Sequence, residues 1–285
     1  MGEARIFSAA PAKIFKFCEL DFPFPLGPAD GRYLRRAADG TDVAVVAIKA
    51  LHSTRRSRRR GRRPARAEPG ASEPDPVAIT RATVIAAEPF ADARAAADWL
   101  RSRTGRDEAA AEIEEALALL NAVLAAHRVA ALDPHVRDVV AGHAARIRLG
   151  YGTGDEVAEG MWRDAYVIPP ERTEPRRRRR MLSPQEEMAG MLTGRRPPGR
   201  PSEELLLRAR LDLDHGRATE AALMARAAAD ALAAEGHPGA DAEAAARLAR
   251  AALAGGLSEG DVEELTQLVR TLERAVRRRR YADES

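Results

Sequence analysis

Apolar residues alternate with polar ones over short runs in the first third of the chain and recur at helical spacing from Phe90 onward. They give way to arginine at two places. Residues 12–22, AKIFKFCELDF, concentrate phenylalanine and isoleucine as a strand does, until Phe24 and the prolines at 23, 25 and 28 take the backbone out of regular pairing. GRYLRR and TDVAVVAIKAL flank an Asp39-Gly40 step, a pair that supplies the positive φ angles of a tight hairpin. Val43, Val45, Val46 and Ile48 fall on both alternating faces of Val43 to Leu51, which places that strand in the interior of its sheet. PVAITRATVIAAEPF reads as another strand of the same sheet, and ARIRLGYG sets Ile147, Leu149 and Tyr151 against Arg146 and Arg148, the pattern of a half-buried strand.

The helical stripes begin with Phe90, Ala93, Ala97 and Leu100, with Trp99 beside them, and continue through Ile113, Leu117, Leu120, Leu124 and His127. Asp133-Pro134 has the form of a helix start. A short helix is predicted at PQEEMAGML. Four more follow at Ser202 to Leu213, Ala218 to Ala234, Ala240 to Ala254 and Glu259 to Tyr281, separated by Gly216, the Gly236-His237-Pro238-Gly239 group and Gly255-Gly256. Ser258 and Asp261 are spaced to cap the last, whose apolar stripe is Val262, Leu265, Val269, Leu272 and Val276. The expected fold class is α+β: a small antiparallel sheet packed with helices, then an all-α helical hairpin or four-helix module. The expected layout is an α+β domain over 1–168 with a disordered basic insertion at 52–76, a basic Pro/Arg-rich linker over 169–202, and an alanine-rich helical module over 203–281.

Charge sharpens this layout. The formal net charge is only +3, from 46 basic and 43 acidic residues. Twenty arginines sit in three clusters: 55–66, 176–200 and 277–280. The other 26 basic residues are set against 43 acidic ones, so basic segments are joined to acidic folded parts. Lysine occurs only at Lys13, Lys16 and Lys49, and the heavy use of Arg, Ala, Gly and Pro matches the codon bias of a GC-rich bacterial genome, which lowers the weight of every arginine motif. Cys18 stands alone, so an internal disulfide and a cysteine-rich zinc site are excluded. MGEARIFSAAPAKIFKF contains no apolar run of signal-peptide length, and no run of about 18 apolar residues occurs anywhere, so no transmembrane segment is expected and a cytoplasmic protein is.

Residues 214–232, DHGRATEAALMARAAADAL, loosely resemble the second helix of a tetratricopeptide repeat through Gly216, Glu220, Ala221 and the small residues that trail them. The resemblance covers some twenty residues and lacks the tryptophan, leucine and tyrosine of the preceding helix. What it implies is an alanine-packed helical hairpin.

Candidate chemistry is sparse. Gly150, Gly152 and Gly154 in GYGTGDE follow a strand and could bring backbone N–H groups to a phosphate; a glycine-rich hairpin connection explains them as well. No Lys-Ser or Lys-Thr pair follows, as a P-loop requires. His127, His135 and His143 recur every eight residues, but on a helix that spacing drifts about 80° past whole turns, so His135 and His143 would not share a face. His215, beside Asp212 and Asp214, sits at an interhelix turn. Cys18 reads as a buried apolar side chain, and Trp99 and Trp162 read as core or domain-edge residues. Arg55, Arg56, Arg58, Arg59, Arg60 and Arg176, Arg177, Arg178, Arg179, Arg180 could neutralise phosphates, but no aromatic residue is interleaved for base stacking.

These features point to a non-enzymatic accessory or scaffold protein that binds a protein partner, or itself, through the C-terminal helices, with no cofactor. The alternative is a nonspecific nucleic-acid-binding protein using the arginine tracts. A third reading is a nucleotide- or phosphate-binding enzyme at Gly150 to Gly154.

Overall fold

The structure, a computed structural model, describes residues 13–37, 39–51, 79–169, 184–195, 199–236 and 242–282. The expected insertion at 52–76 and half of the expected linker lie outside them. The chain divides into two compact units, Met1–Glu174 and Pro175–Ser285.

The first unit is α+β. Its six strands, β1 (Ile14–Phe22), β2 (Gly31–Arg36), β3 (Asp42–Leu51), β4 (Ile79–Pro89), β5 (Arg146–Thr153) and β6 (Asp164–Ile168), form one sheet in the order β2-β3-β4-β1-β5-β6. All neighbouring pairs are antiparallel. Gly40 makes the β2–β3 turn at φ +86°, where the Asp-Gly step predicts it. Leu51 pairs with Ile79, so β3 and β4 are direct neighbours and the end of β3 lies beside the start of β4.

β1 is one of the two central strands, and its two faces differ in chemistry. Ile14, Cys18, Leu20 and Phe22 join the main core, which α1 (Ala93–Arg101) and α2 (Arg106–Ala131) close with Leu100, Ile113, Leu117, Leu120 and Leu124. Phe17, Glu19 and Asp21 alternate onto the opposite face. There Phe17 packs with Ile85 of β4, Val157 of the short helix α3 (Gly154–Ala158), and Trp162.

The expected helix at Asp133-Pro134 does not form. α2 ends instead on Leu132 in the left-handed conformation (φ 52°), with Asp133 N–H donating back to Arg128 O at 3.1 Å. Pro134 then follows a helix end, not a start, and biases the residue before it toward extended backbone. Residues 136–140 run without regular structure and meet a 3-10 turn at Ala141–His143. Val136 and Val139 are buried in the main core. The buried Asn121 on α2 holds Val139 by both backbone groups: Nδ2 donates to Val139 O at 2.9 Å, and Oδ1 accepts Val139 N–H at 2.8 Å.

The second unit holds α4 (Pro184–Leu192), at the predicted PQEEMAGML, and then α5 (Pro201–Asp214), α6 (Ala218–Ala234), α7 (Ala242–Ala254) and α8 (Glu259–Ala282). α5 packs on α6, α6 on α7 and α7 on α8, while α8 returns to touch both α5 and α6. The four helices therefore close around one core. Ala221, Ala222, Ala225 and Ala228 of α6 lie at its centre, with Leu206, Leu232, Leu248, Leu265 and Leu272 around them. Small side chains let the helices approach closely, and leucines supply most of the buried area. The hairpin implied by the repeat resemblance is present as α5–α6, turned by Gly216 at φ +69°. The Ser258 cap also forms: Asp261 N–H donates to Ser258 Oγ at 3.2 Å, and Ser258 N–H to Asp261 Oδ2 at 3.1 Å.

Candidate functional site

Among the sequence candidates, Gly150 and Gly152 lie within β5, and Gly154 opens α3 in the connection between the antiparallel neighbours β5 and β6. A side chain at Gly150 would put its Cβ 2.5 Å from Asp164 O and 2.7 Å from Phe17 Cζ, and one at Gly152 would lie 2.8 Å from Val157 Cγ2. Close packing between β5, β6, α3 and Phe17 accounts for both residues.

Cys18 is buried in the main core. Burial, helped by the negative charge of Glu112, pushes its thiol up to about 12, away from nucleophile chemistry. His215 sits in the α5–α6 turn, its Nδ1 2.7 Å from Leu211 O, and Asp212 pairs with Arg217 at 2.7 Å. Arg55, Arg56, Arg58, Arg59, Arg60 and Arg176 to Arg180 lie outside the described residues.

The basic cluster at the C-terminus is only partly a solvated run. Arg279 is 3% exposed. Its guanidinium donates to Glu203 Oε1 at 2.8 Å and to Ser202 Oγ at 3.3 Å, and it pairs with Glu235. Ser202 in turn donates from Oγ to Glu235 Oε2 at 2.8 Å and from its backbone N–H to Oε1 at 3.2 Å. The network ties the start of α5, the end of α6 and the last turns of α8. Burial opposes ionisation of Glu235, but the bonds from Ser202 and the charge of Arg279 outweigh it and hold the carboxyl below its usual range.

The second sheet face carries another ion cluster that local sequence patterns do not reveal. Asp21 lies across the strands from Arg81 and from Arg146. Its Oδ1 accepts Arg81 Nε at 2.8 Å and its Oδ2 accepts Arg146 Nη2 at 2.7 Å. Glu19 pairs with Arg148, whose guanidinium also lies 5.0 Å from the Trp162 ring centroid, and Glu19 Oε2 sits 3.3 Å from Arg81 Nε. Farther out, Arg32 pairs with Asp155 at 2.8 Å and with Glu159 at 3.0 Å, and Lys49 with Glu159 at 3.3 Å. Each of these four carboxylates faces at least one cation.

The histidines supply a finding that the spacing argument missed. Because residues 133–140 are not helical, His135 and His143 both line one groove, which also takes Asp133, Arg137, Asp138 and, from the β1–β2 connection, Phe24 to Gly27. The groove encloses about 440 Å³, within the range of roughly 300–1,000 Å³ usual for ligand clefts. Gly27, at φ +106°, lets this connection cross closely over its neighbours: a Cβ there would meet Val136 Cγ2 at 2.7 Å and His127 Cδ2 at 3.3 Å. Arg128 fixes the far wall by donating to Val136 O at 3.0 Å and facing Asp138 Oδ1 at 3.7 Å. Among the described residues no group of three or more His, Cys, Asp or Glu is arranged to hold a metal ion.

On the second unit, the outer face of α5 retains Leu207 and Leu211, one helical turn apart and 65% and 44% exposed. No helix among the described residues is long and apolar enough to cross a membrane. No family model, curated protein or solved structure matches this chain.

Proposed function

We propose that this chain is a non-enzymatic accessory protein that acts by binding another polypeptide, or a second copy of itself, through the C-terminal helices. One observation carries the reading: α5 to α8 close their own apolar core, yet Leu207 and Leu211 remain exposed at i, i+4 on α5. Neither leucine is needed to fill that core, and such a pair is the minimal anchor by which an amphipathic helix meets a partner. The pairing of Glu19, Asp21, Asp155 and Glu159 with cations on the second sheet face agrees with a structural role for the ionisable groups there. The nucleic-acid alternative rests on the arginine tracts in the sequence alone.

The test places a photo-cross-linking side chain at position 207, at position 211, or at the exposed control position 226 on α6. Cross-links to one discrete polypeptide from 207 and 211, with none from 226, are the expected result. With the probe at one position, glutamate at the other (Leu211→Glu or Leu207→Glu) should weaken the cross-link, and where the partner is a second copy Leu207→Glu/Leu211→Glu should lower the mass of the full chain in light scattering. Equal cross-linking from all three positions, or none from any, sinks the proposal.

A further inference from the structure

The groove between residues 24–27 and 133–143 has no part in that reading, and its polar groups are unevenly committed. Asp133 Oδ1 accepts the backbone N–H of His135 at 2.9 Å, and Asp138 faces Arg128 at 3.7 Å. Arg137 lies between them in sequence and is exposed, with no hydrogen bond or ion pair among the described residues. Val140 N–H points at His143 Nδ1 across 3.4 Å, which makes that nitrogen the acceptor and leaves the ring proton of the neutral imidazole on Nε2. The ring also meets Phe24 edge-on, with centroids 6.2 Å apart, and Phe24 continues to Phe22 at 5.6 Å.

The groove therefore pairs an apolar wall of Phe24, Pro25, Leu26 and Val136 with one guanidinium that has no partner among the described residues and with the imidazoles of His143 and His135. The wall is anchored. Val136 and Val139 sit in the core, and Asn121 and Arg128 hold their backbone, so Arg137 and His143 project from a fixed segment instead of a free loop. A few placed donors in an otherwise apolar cleft fix a ligand's polar end while the wall takes its body.

We propose that this groove binds a small organic monocarboxylate, its head group on Arg137 and His143 and its apolar body against Phe24 and Val136. The single charge follows from the lining. One unpaired arginine matches a carboxylate in fork geometry, whereas a phosphate dianion would bring a second negative charge to a site that already contains Asp133 and Asp138.

The experiment uses the full chain, isotope-labelled for amide NMR, titrated with benzoate, hexanoate, benzamide, inorganic phosphate and phenyl phosphate. Benzoate or hexanoate should produce saturable shifts at Gly27, Arg137, Val139 and His143, with benzamide and inorganic phosphate much weaker. Arg137→Gln should weaken the carboxylate about tenfold, a change of about 1.4 kcal/mol. His143→Phe, which keeps the aromatic edge and removes the N–H, should weaken it less. Arg137 is exposed, so its variant should keep the parent's melting temperature. The proposal is overturned by equal binding of benzamide, by an Arg137→Gln variant of unchanged affinity, or by shifts confined to other regions. It is equally overturned if phenyl phosphate binds more tightly than benzoate, or if neither carboxylate binds at millimolar concentration.

Discussion

Asp21 concentrates the electrostatics of the first unit in one side chain. It is 2% exposed and accepts hydrogen bonds from two arginines on two different strands. Burial alone would raise its pKa, but the bonds and charges of Arg81 and Arg146 outweigh that penalty and hold the carboxyl below its usual range. The sign of the pH dependence follows. A carboxyl depressed in the folded state adds stability that is complete above its unfolded value, about 3.9, and is lost as the pH falls through the lower folded value. Asp21→Asn should therefore cost about 2–3 kcal/mol at neutral pH, less than a fully enclosed pair because Arg146 is partly in water. The gap between variant and wild type should close as the solution is acidified. Both tryptophans, Trp99 and Trp162, lie in this unit, so urea unfolding followed by tryptophan fluorescence at a series of pH values reads it without interference from the helical module. A gap that stays constant down to strongly acid pH would remove Asp21 from the account.

The elements that were legible in the sequence are those whose signal is local. β1, the Asp39-Gly40 hairpin, β3 and the helices of the second unit appear where alternation, turn residues and caps place them, because each pattern reports a face buried by its own element. The five-residue β6 was not read: Tyr166, Val167 and Ile168 make too short a run to separate from a loop, and its strand character comes from pairing with β5. Residues 133–140 misled for a related reason, since what holds them extended is Asn121, eighteen residues before Val139. The groove followed the same path out of sight, because His135 and His143 share it only in the absence of a helix. Long-range pairing likewise hid the Asp21 cluster. It does, however, make one design change predictable. As Leu51 pairs directly with Ile79, replacing residues 52–78 by an Asn-Gly turn should leave the sheet intact and stabilise the first unit by about 1–2 kcal/mol through the shorter loop closure. Tryptophan-detected urea unfolding gives the sign, and loss of cooperative unfolding would show that 52–78 contributes to the fold. The same variant tests the nucleic-acid alternative: if the first tract neutralises phosphates, duplex DNA affinity and its salt slope should both fall.

At the scale of the whole molecule, the main cores divide as the chain does. One lies between the sheet and α1–α2 in the first unit, and another lies among α5 to α8 in the second. Each is closed by residues of its own unit, which is the condition for folding alone. Residues 199–285 expressed by themselves should thus show helical circular dichroism and a single cooperative melt. Arg279 makes the sharper test of that module, since it joins the two ends of the fragment: Glu203 at the start of α5 and Glu235 after α6 both converge on the last turns of α8. Arg279→Met should lower the fragment's stability by about 3 kcal/mol, because it removes the cation that both carboxylates share at a largely buried site. Adding Glu203→Gln and Glu235→Gln to Arg279→Met should restore much of the loss, as the penalty comes from stranded charge and not from lost contact area. A fragment that melts without cooperativity would mean that the module needs the rest of the chain. If Arg279→Met were neutral, the C-terminal arginines would be the solvated basic run that their sequence suggests, and the closure of α8 would rest on its buried stripe of Leu265, Leu268, Val269, Leu272 and Val276 and on Arg210 of α5 facing Glu273 at 3.8 Å.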